Sequence, residues 1–376
     1  MIKKAILIPD SFKGTLSSVK ICQIMKSQLC AHFPGCEVIS VPVADGGEGS
    51  VACFLTALGG EKVTCRVNDP YFAPMDAFYG ILQDGKTAIV EMAACAGLPL
   101  VEGRHNPSLT TTYGVGELIL DAAKRGCETI IVGLGGSCTN DAGAGAAAAI
   151  GVKFYNRAGE EFVPVGNTLS EITGVDLSGK NPVLKNVRIV TMCDIDNPLF
   201  GKTGAAYVFG PQKGADSEMV RLLDQGLIHL SQVLKSDLHM DVSAIPGGGA
   251  AGGMGAGMVA FFGSELQMGI ETVLDTVHFD DLLKNTDVVF TGEGKMDSQS
   301  LRGKVVSGVS KRAKAKNVPV IVVAGGYDED VSGAYDQGVS AVFSINRLPQ
   351  DLSVSRKFSE KNLSLTMDNI LRLLKL

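Results

Sequence analysis

Residues 80–87 read GILQDGKT. Gly80, four residues, then Gly85-Lys86-Thr87 match every specified position of the phosphate-loop pattern. How this stretch is read decides the fold around it. A working phosphate loop joins a strand to a helix, whose first-turn N–H groups and dipole hold the phosphates. Here both flanks have strand character. DAFYGIL alternates before the match, and TAIVEM after it is short and carries β-branched Ile89 and Val90. Asp84-Gly85 between them is a strong hairpin-turn pair. The stretch therefore predicts two antiparallel strands joined at QDGK, with Gly80 inside the first and Lys86 opening the second. A second partial match, GKT at 201–203, fails because Asp196 occupies the first glycine position.

Working outward, EKVTCRVND, MDAFYGILQ and KTAIVEMA are short strands with little between them, as in antiparallel hairpins. Both ends of the chain read differently. KAILIPDS and CEVISVPV alternate with the helical SSVKICQIMKSQLCAHF and with GSVACFLTALGG, which Gly59 and Gly60 close. TDVVFTGEG, PVIVVAGG and SAVFSI are short Val/Ile-rich strands separated by helices. Apolar strands between helices indicate a parallel sheet covered on both faces. The predicted fold class is α/β: a Rossmann-like parallel-sheet domain interrupted by a second, inserted α/β domain with mixed or antiparallel strands. The predicted boundaries are 1–62 plus 282–376 for the discontinuous domain and 63–281 for the insert.

The chain has 376 residues, 45% hydrophobic, with a formal net charge of −6. That length suits two domains. No basic stripe appears, so nucleic acid is not an expected partner. SKRAKAK at 310–316 reads as a solvated helix face. Nine cysteines without a C-x-x-C pair, and five scattered histidines, argue against zinc or a disulfide framework. They fit a reducing, cytoplasmic setting. No apolar run is long enough to span a membrane, so no membrane partner is expected.

Two glycine-rich stretches compete for a phosphate. GLGGSCTNDAGAG (133–145) lies between a strand and an Ala-rich segment. Gly135, Gly136, Ser137, Thr139, Asn140 and Asp141 are the expected phosphate-binding residues, since small residues expose N–H groups there. Asn140 and Asp141 also suit a helix cap. PGGGAAGGMGAGM (246–258) contains G-x-G-x-x-G without a clear preceding strand. Close packing and ligand approach remain equal readings there.

Polar groups gather where open α/β sheets bind ligands, beyond the carboxyl ends of strands. These are Asp10, Ser11 and Lys13 in PDSFKG, Asp45 and Glu48 in ADGGEGS, and Glu91 in VEMAACAG. Asp194 and Asp196 follow in CDIDNP, then Glu293, Lys295 and Asp297 in TGEGKMDSQS. Such repeated acid-plus-glycine clusters suit Mg²⁺ and phosphate chemistry. Carboxylates supply oxygen to the metal, and one can take a proton from an attacking hydroxyl.

PDSFKGTLS, ADGGEGS, QDGKTAIVEMA, LTTTYGVGELI, GLGGSCTNDAGAG, CDIDNPL, FGPQKGA and TGEGKMDSQS occur in an order that resembles the bacterial two-domain (class II) glycerate kinase family. The resemblance runs the length of the chain. It implies a cytoplasmic kinase that uses ATP and Mg²⁺ to phosphorylate D-glycerate, with 2-phosphoglycerate as the expected product and 3-phosphoglycerate as the alternative. It also implies the interrupted Rossmann-like architecture. Lys295 stands where the family more commonly has arginine.

The chemical reading supplies the roles. Asp194 is the expected general base, with Asp45 second and Lys13 also catalytic. Asp10, Ser11 and Glu48 meet substrate, and Asp196 or Asp297 holds the metal. A homodimer stays open. An NAD-linked oxidoreductase of a small hydroxy acid is the alternative enzyme, but the first strand lacks the glycine-rich turn of a dinucleotide site. A noncatalytic sugar-acid sensor would need no such acidic set.

Overall fold

The computed structural model describes residues 2–44, 46–297, 304–328, 331–348 and 350–376. The chain divides into two compact units. One comprises Met1–Asp45, Ala52–Gly59 and Met268–Leu376; the other comprises Gly46–Val51 and Gly60–Gln267.

The first unit is built on a five-stranded parallel sheet. Its order is Val339–Ser344, Val320–Ala324, Val288–Thr291, Lys4–Leu7, Glu37–Ser40. Numbered along the chain within this unit, the order is 2-1-3-4-5. The direction of winding therefore reverses between Lys4–Leu7 and Val288–Thr291, where Ala5 pairs with Val288 and Leu7 with Phe290. The strands are apolar on both sides because both faces are covered. Ala5, Leu7, Phe290, Ile321 and Val323 pack with Ile21, Met25 and Leu29 of helix Ser18–His32 and with Leu363 and Met367 of helix Ser359–Leu373. Val322 and Ala324 pack with Val306 of helix Val305–Ala315. Period-two alternation thus splits one apolar strand between two cores.

The second unit has a six-stranded mixed sheet in the order Glu265–Gln267, Arg188–Met192, Thr129–Gly133, Thr87–Glu91, Pro74–Leu82, Gly60–Asn68. The last three strands form the antiparallel meander, and the remaining pairings are parallel. The architecture is therefore the expected one: a Rossmann-like parallel sheet and a second α/β unit with mixed strands.

GILQDGKT is a hairpin. Gly80 pairs with Ile89 and Ile81 with Ala88 across the turn. Gly85 adopts φ +68°, and its N–H donates to Leu82 O at 2.9 Å. Asp84 Oδ1 accepts from the N–H groups of Lys86 and Thr87 at 2.8 and 2.9 Å, and Oδ2 accepts from Thr87 Oγ1 at 2.7 Å. The Lys86 ammonium pairs with Glu128 at 2.9 Å on the surface. No helix starts here, so nothing in the turn could cradle a phosphate as a phosphate loop does.

Candidate active site

In the first unit, the winding reversal brings two strand-end loops together. The Asp10 N–H donates to Gly292 O at 2.8 Å, and Thr291 Oγ1 donates to Ile8 O at 2.8 Å. Asp10 Oδ1 accepts from the Ser11 N–H at 2.6 Å, which fixes the turn into SFKG. Gly294 backs onto that turn: a Cβ there would come within 3.2 Å of Lys13 N. The half-buried Asp10 and Ser11 and the exposed Lys13 thus share one end of the sheet with buried Glu293 and half-buried Asp297. Lys295 turns outward to an exposed ion pair with Asp328 at 2.9 Å.

In the second unit, three glycine-rich stretches lock together beyond the carboxyl ends of Thr87–Glu91, Thr129–Gly133 and Arg188–Met192. The Gly135 N–H donates to Gly46 O at 3.0 Å, and a Cβ on Gly135 would fall 2.5 Å from Gly47 Cα. Gly135 is thus used in loop-to-loop packing. Glu91 holds the same 46–51 segment. Its buried carboxylate accepts from the Val51 N–H at 2.5 Å and the Gly49 N–H at 3.2 Å, while burial pushes its pKa up.

The 246–258 stretch closes the other side. Helix Ala250–Phe262 is broken by positive φ at Ala251, Gly252 and Gly253, and the Ala142 N–H donates to Gly252 O at 3.1 Å. Close backbone approach accounts for these glycines, and no dinucleotide fingerprint is formed.

Asp141 is also committed to protein. Its Oδ2 accepts from Thr112 N at 2.7 Å, Thr112 Oγ1 at 2.8 Å and Gly145 N at 3.3 Å, and its Oδ1 accepts from Gly143 N at 3.2 Å. One carboxylate thereby ties the starts of helices Tyr113–Lys124 and Ala144–Ala149 to each other. An acceptor so fully engaged anchors the loop. Thr110, beside it, donates to Cys138 O at 3.0 Å, so the LTTTYG motif braces the same loop.

Lys213 was given no role by sequence reasoning. It follows Phe209-Gly-Pro-Gln in a short 3-10 turn, Pro211–Lys213, that Gly214 ends at φ +94°. The turn buries the side chain to 2% exposure, and its Nζ donates to Ser137 Oγ at 2.8 Å and Thr139 O at 2.7 Å. Burial lowers its pKa to about 8, against through-space support from Cys138 and Asp141. Thr139 Oγ1 and both side-chain polar atoms of Asn140 are buried without a hydrogen-bond partner. A lysine in a Gly/Pro-flanked motif, FGPQKGA, was the available signal.

The other candidates are more dispersed. Asp194, Asp196 and Glu48 are exposed in the second unit, and Asp297 belongs to the first. Asp45 lies outside the described residues. Among the described residues, no three His, Cys, Asp or Glu side chains group so as to hold a metal ion by themselves. No helix among them is long and apolar enough to cross a membrane.

Polar groups at a sheet reversal, and a buried lysine under a glycine loop, on two α/β units, are features of an enzyme that handles small anionic reactants. The comparisons with known proteins give the class. The glycerate kinase family profile matches residues 5–375. A Bacillus cereus glycerate kinase is 44% identical over 98% of this chain and 97% of its own. An Escherichia coli glycerate 2-kinase is 44% identical over 91% and 90%. A crystal structure from Salmonella typhimurium, provisionally described as glycerate kinase 2, superposes with a TM-score of 0.89 at 40% identity, covering 100% of this chain and 99% of that one. The protein is thus a phosphotransferase with an alcohol group as acceptor. The chain belongs to the glycerate kinase family.

Proposed function

We propose that this enzyme transfers the γ-phosphoryl group of ATP to D-glycerate, with Mg²⁺, and releases 2-phosphoglycerate. The observation that carries the reading is the meeting of the Asp10–Lys13 and Glu293–Asp297 loops at the reversal point of a parallel sheet. Ligands of open α/β sheets bind at such points. The name of the Escherichia coli relative, glycerate 2-kinase, supports the choice of hydroxyl.

The residues present fit the nucleotide. A buried cation and the unpartnered polar atoms of Thr139 and Asn140 are what phosphate oxygens require. Gly135, Gly136, Ser137, Thr139, Asn140 and Asp141 are the proposed phosphate-binding set, with Gly135 and Asp141 holding the loop in shape. Either Asp196 or Asp297 would offer carboxylate oxygen, which suits Mg²⁺ because that ion keeps several waters and needs only one or two protein carboxylates. Bound there, the ion would offset charge on the phosphate oxygens.

Asp10, Ser11 and Glu48 are the residues assigned to the acid substrate. The Asp194 carboxylate accepts the proton of the glycerate hydroxyl, and that oxygen attacks phosphorus in line as ADP departs. Asp45 is the second choice for this base. Lys13 offsets the charge of the transferring group. We place the enzyme in the cytoplasm as a homodimer; sedimentation tests the assembly.

Phosphorus NMR after incubation with ATP, Mg²⁺ and D-glycerate tests the reaction. A 2-phosphoglycerate resonance is expected. A 3-phosphoglycerate product would overturn the regiochemistry, and no glycerate-dependent loss of ATP would overturn the function. Asp194→Asn should fold and lose most turnover; near-normal turnover removes Asp194 from the base role.

A further inference from the structure

Among the described residues, the Lys213 ammonium is a buried charge that forms no ion pair. Its two hydrogen bonds go to neutral acceptors, Ser137 Oγ and Thr139 O. Asp141 acts on it only through space, and its carboxylate is taken up by Thr112, Gly143 and Gly145. Buried charges in folded proteins are paired, or they lose their charge. Beside this one, Thr139 Oγ1 and the Asn140 amide are fully buried and lack partners. Buried polar atoms are nearly always hydrogen-bonded, so three orphans on adjacent residues mark a missing group. Thr139 Oγ1 and Asn140 Nδ2 can donate, as can Lys213 Nζ, while Asn140 Oδ1 only accepts.

We infer that Lys213, Thr139 and Asn140 form an anion-binding site that receives one anionic oxygen group of a reactant. This rests on, and sharpens, the assignment of residues 135–141 to the nucleotide. The chemistry is shared by two sources, the phosphates of ATP and the carboxylate of D-glycerate. Both are acceptors that would complete the ammonium's hydrogen bonds and supply the absent charge. An anion bound here favours the protonated lysine. Binding above pH 8 is therefore accompanied by proton uptake, and affinity falls as pH rises through that value, with Cys138 and Asp141 the other titratable groups acting on Lys213.

The test is calorimetric titration of the full chain with ATP and, separately, with D-glycerate. It is run at pH 8.5 in two buffers of different ionisation heat. Wild type should take up protons with one of the two. Lys213→Met should lose that uptake and at least about tenfold in affinity for the same reactant, the worth of one charge-assisted hydrogen bond. Lys213→Arg should retain part of the affinity.

Asn140→Ala is the second variant. It removes no hydrogen bond of the free protein, so a merely structural residue would leave binding unchanged, whereas the anion site predicts weaker binding in a protein that melts normally. Dependence of ATP on Lys213 supports the site with phosphate as its anion. Dependence of D-glycerate alone supports the site but overturns the nucleotide assignment of the loop. Wild-type affinity and proton uptake for both reactants in Lys213→Met and Asn140→Ala would overturn the inference. Loss of ATP affinity in Ser137→Ala would then show that the nucleotide assignment survives without it.

Discussion

The cost of burying Lys213 can be measured apart from any ligand. Its pKa falls from the ordinary 10.5 to about 8 in the folded chain. Below pH 8, folded and unfolded states both hold the proton, and the folded state carries the full penalty of a buried charge. Between 8 and 10.5 the unfolded chain still binds the proton and the folded one does not. Stability therefore rises with pH across that interval, since it rises wherever the unfolded state binds more protons. The interval of about 2.5 pH units corresponds to about 3 kcal/mol at roughly 1.4 kcal/mol per unit.

The buried thiols act in the opposite sense. Burial raises Cys65 to about 11 and Cys138 to about 12, so their contribution is lost as pH rises past the ordinary thiol value. Comparison with the Lys213→Met variant removes the Cys65 contribution and most of that of Cys138, whose pKa Lys213 itself lowers through space. The assay is urea unfolding of both proteins at intervals from pH 7 to 10.5, comparing the transition that the substitution moves. The wild type should gain about 3 kcal/mol on the variant over that range. Parallel curves would refute the reasoning, because they would mean that Lys213 titrates alike in both states.

Three further outcomes follow from geometry. A Cβ on Gly133 would collide with Gly46 O and come within 2.8 Å of Gly46 C. Gly133→Ala should thus part the two loops, cost about 1–3 kcal/mol in urea unfolding, and lower kcat. Glu91→Ala strands the N–H groups of Gly49 and Val51, and should lose about 2–4 kcal/mol by the same measurement. Lys86→Ala breaks only an exposed pair with Glu128, so kcat and the KM for ATP should be unchanged; lost nucleotide affinity in a folded variant would reinstate the phosphate loop.

Much of the architecture was legible in local pattern. Asp84-Gly85 between two β-like runs specified a hairpin against a complete motif match, because turn chemistry and flanking periodicity act over a few residues. The apolar runs KAILI and VIVVA specified strands buried on both faces for the same reason. The acidic strand-end set was legible too, since it follows each strand directly.

What the sequence could not assign was the use of each glycine and the partner of each charge. Gly135, Asp141 and Lys213 stand far apart or in similar-looking motifs, and their roles depend on contacts between segments distant along the chain. Asp141 is held by Thr112, and Gly135 lies against Gly47, contacts that no local pattern announces. Lys213 had no role along the chain, and the turn at Pro211–Lys213 carries it to Ser137, 76 residues earlier. Periodicity and turn propensity are local and can be read along the chain. Burial and hydrogen-bond satisfaction belong to the packed molecule, and only the tertiary structure decides them.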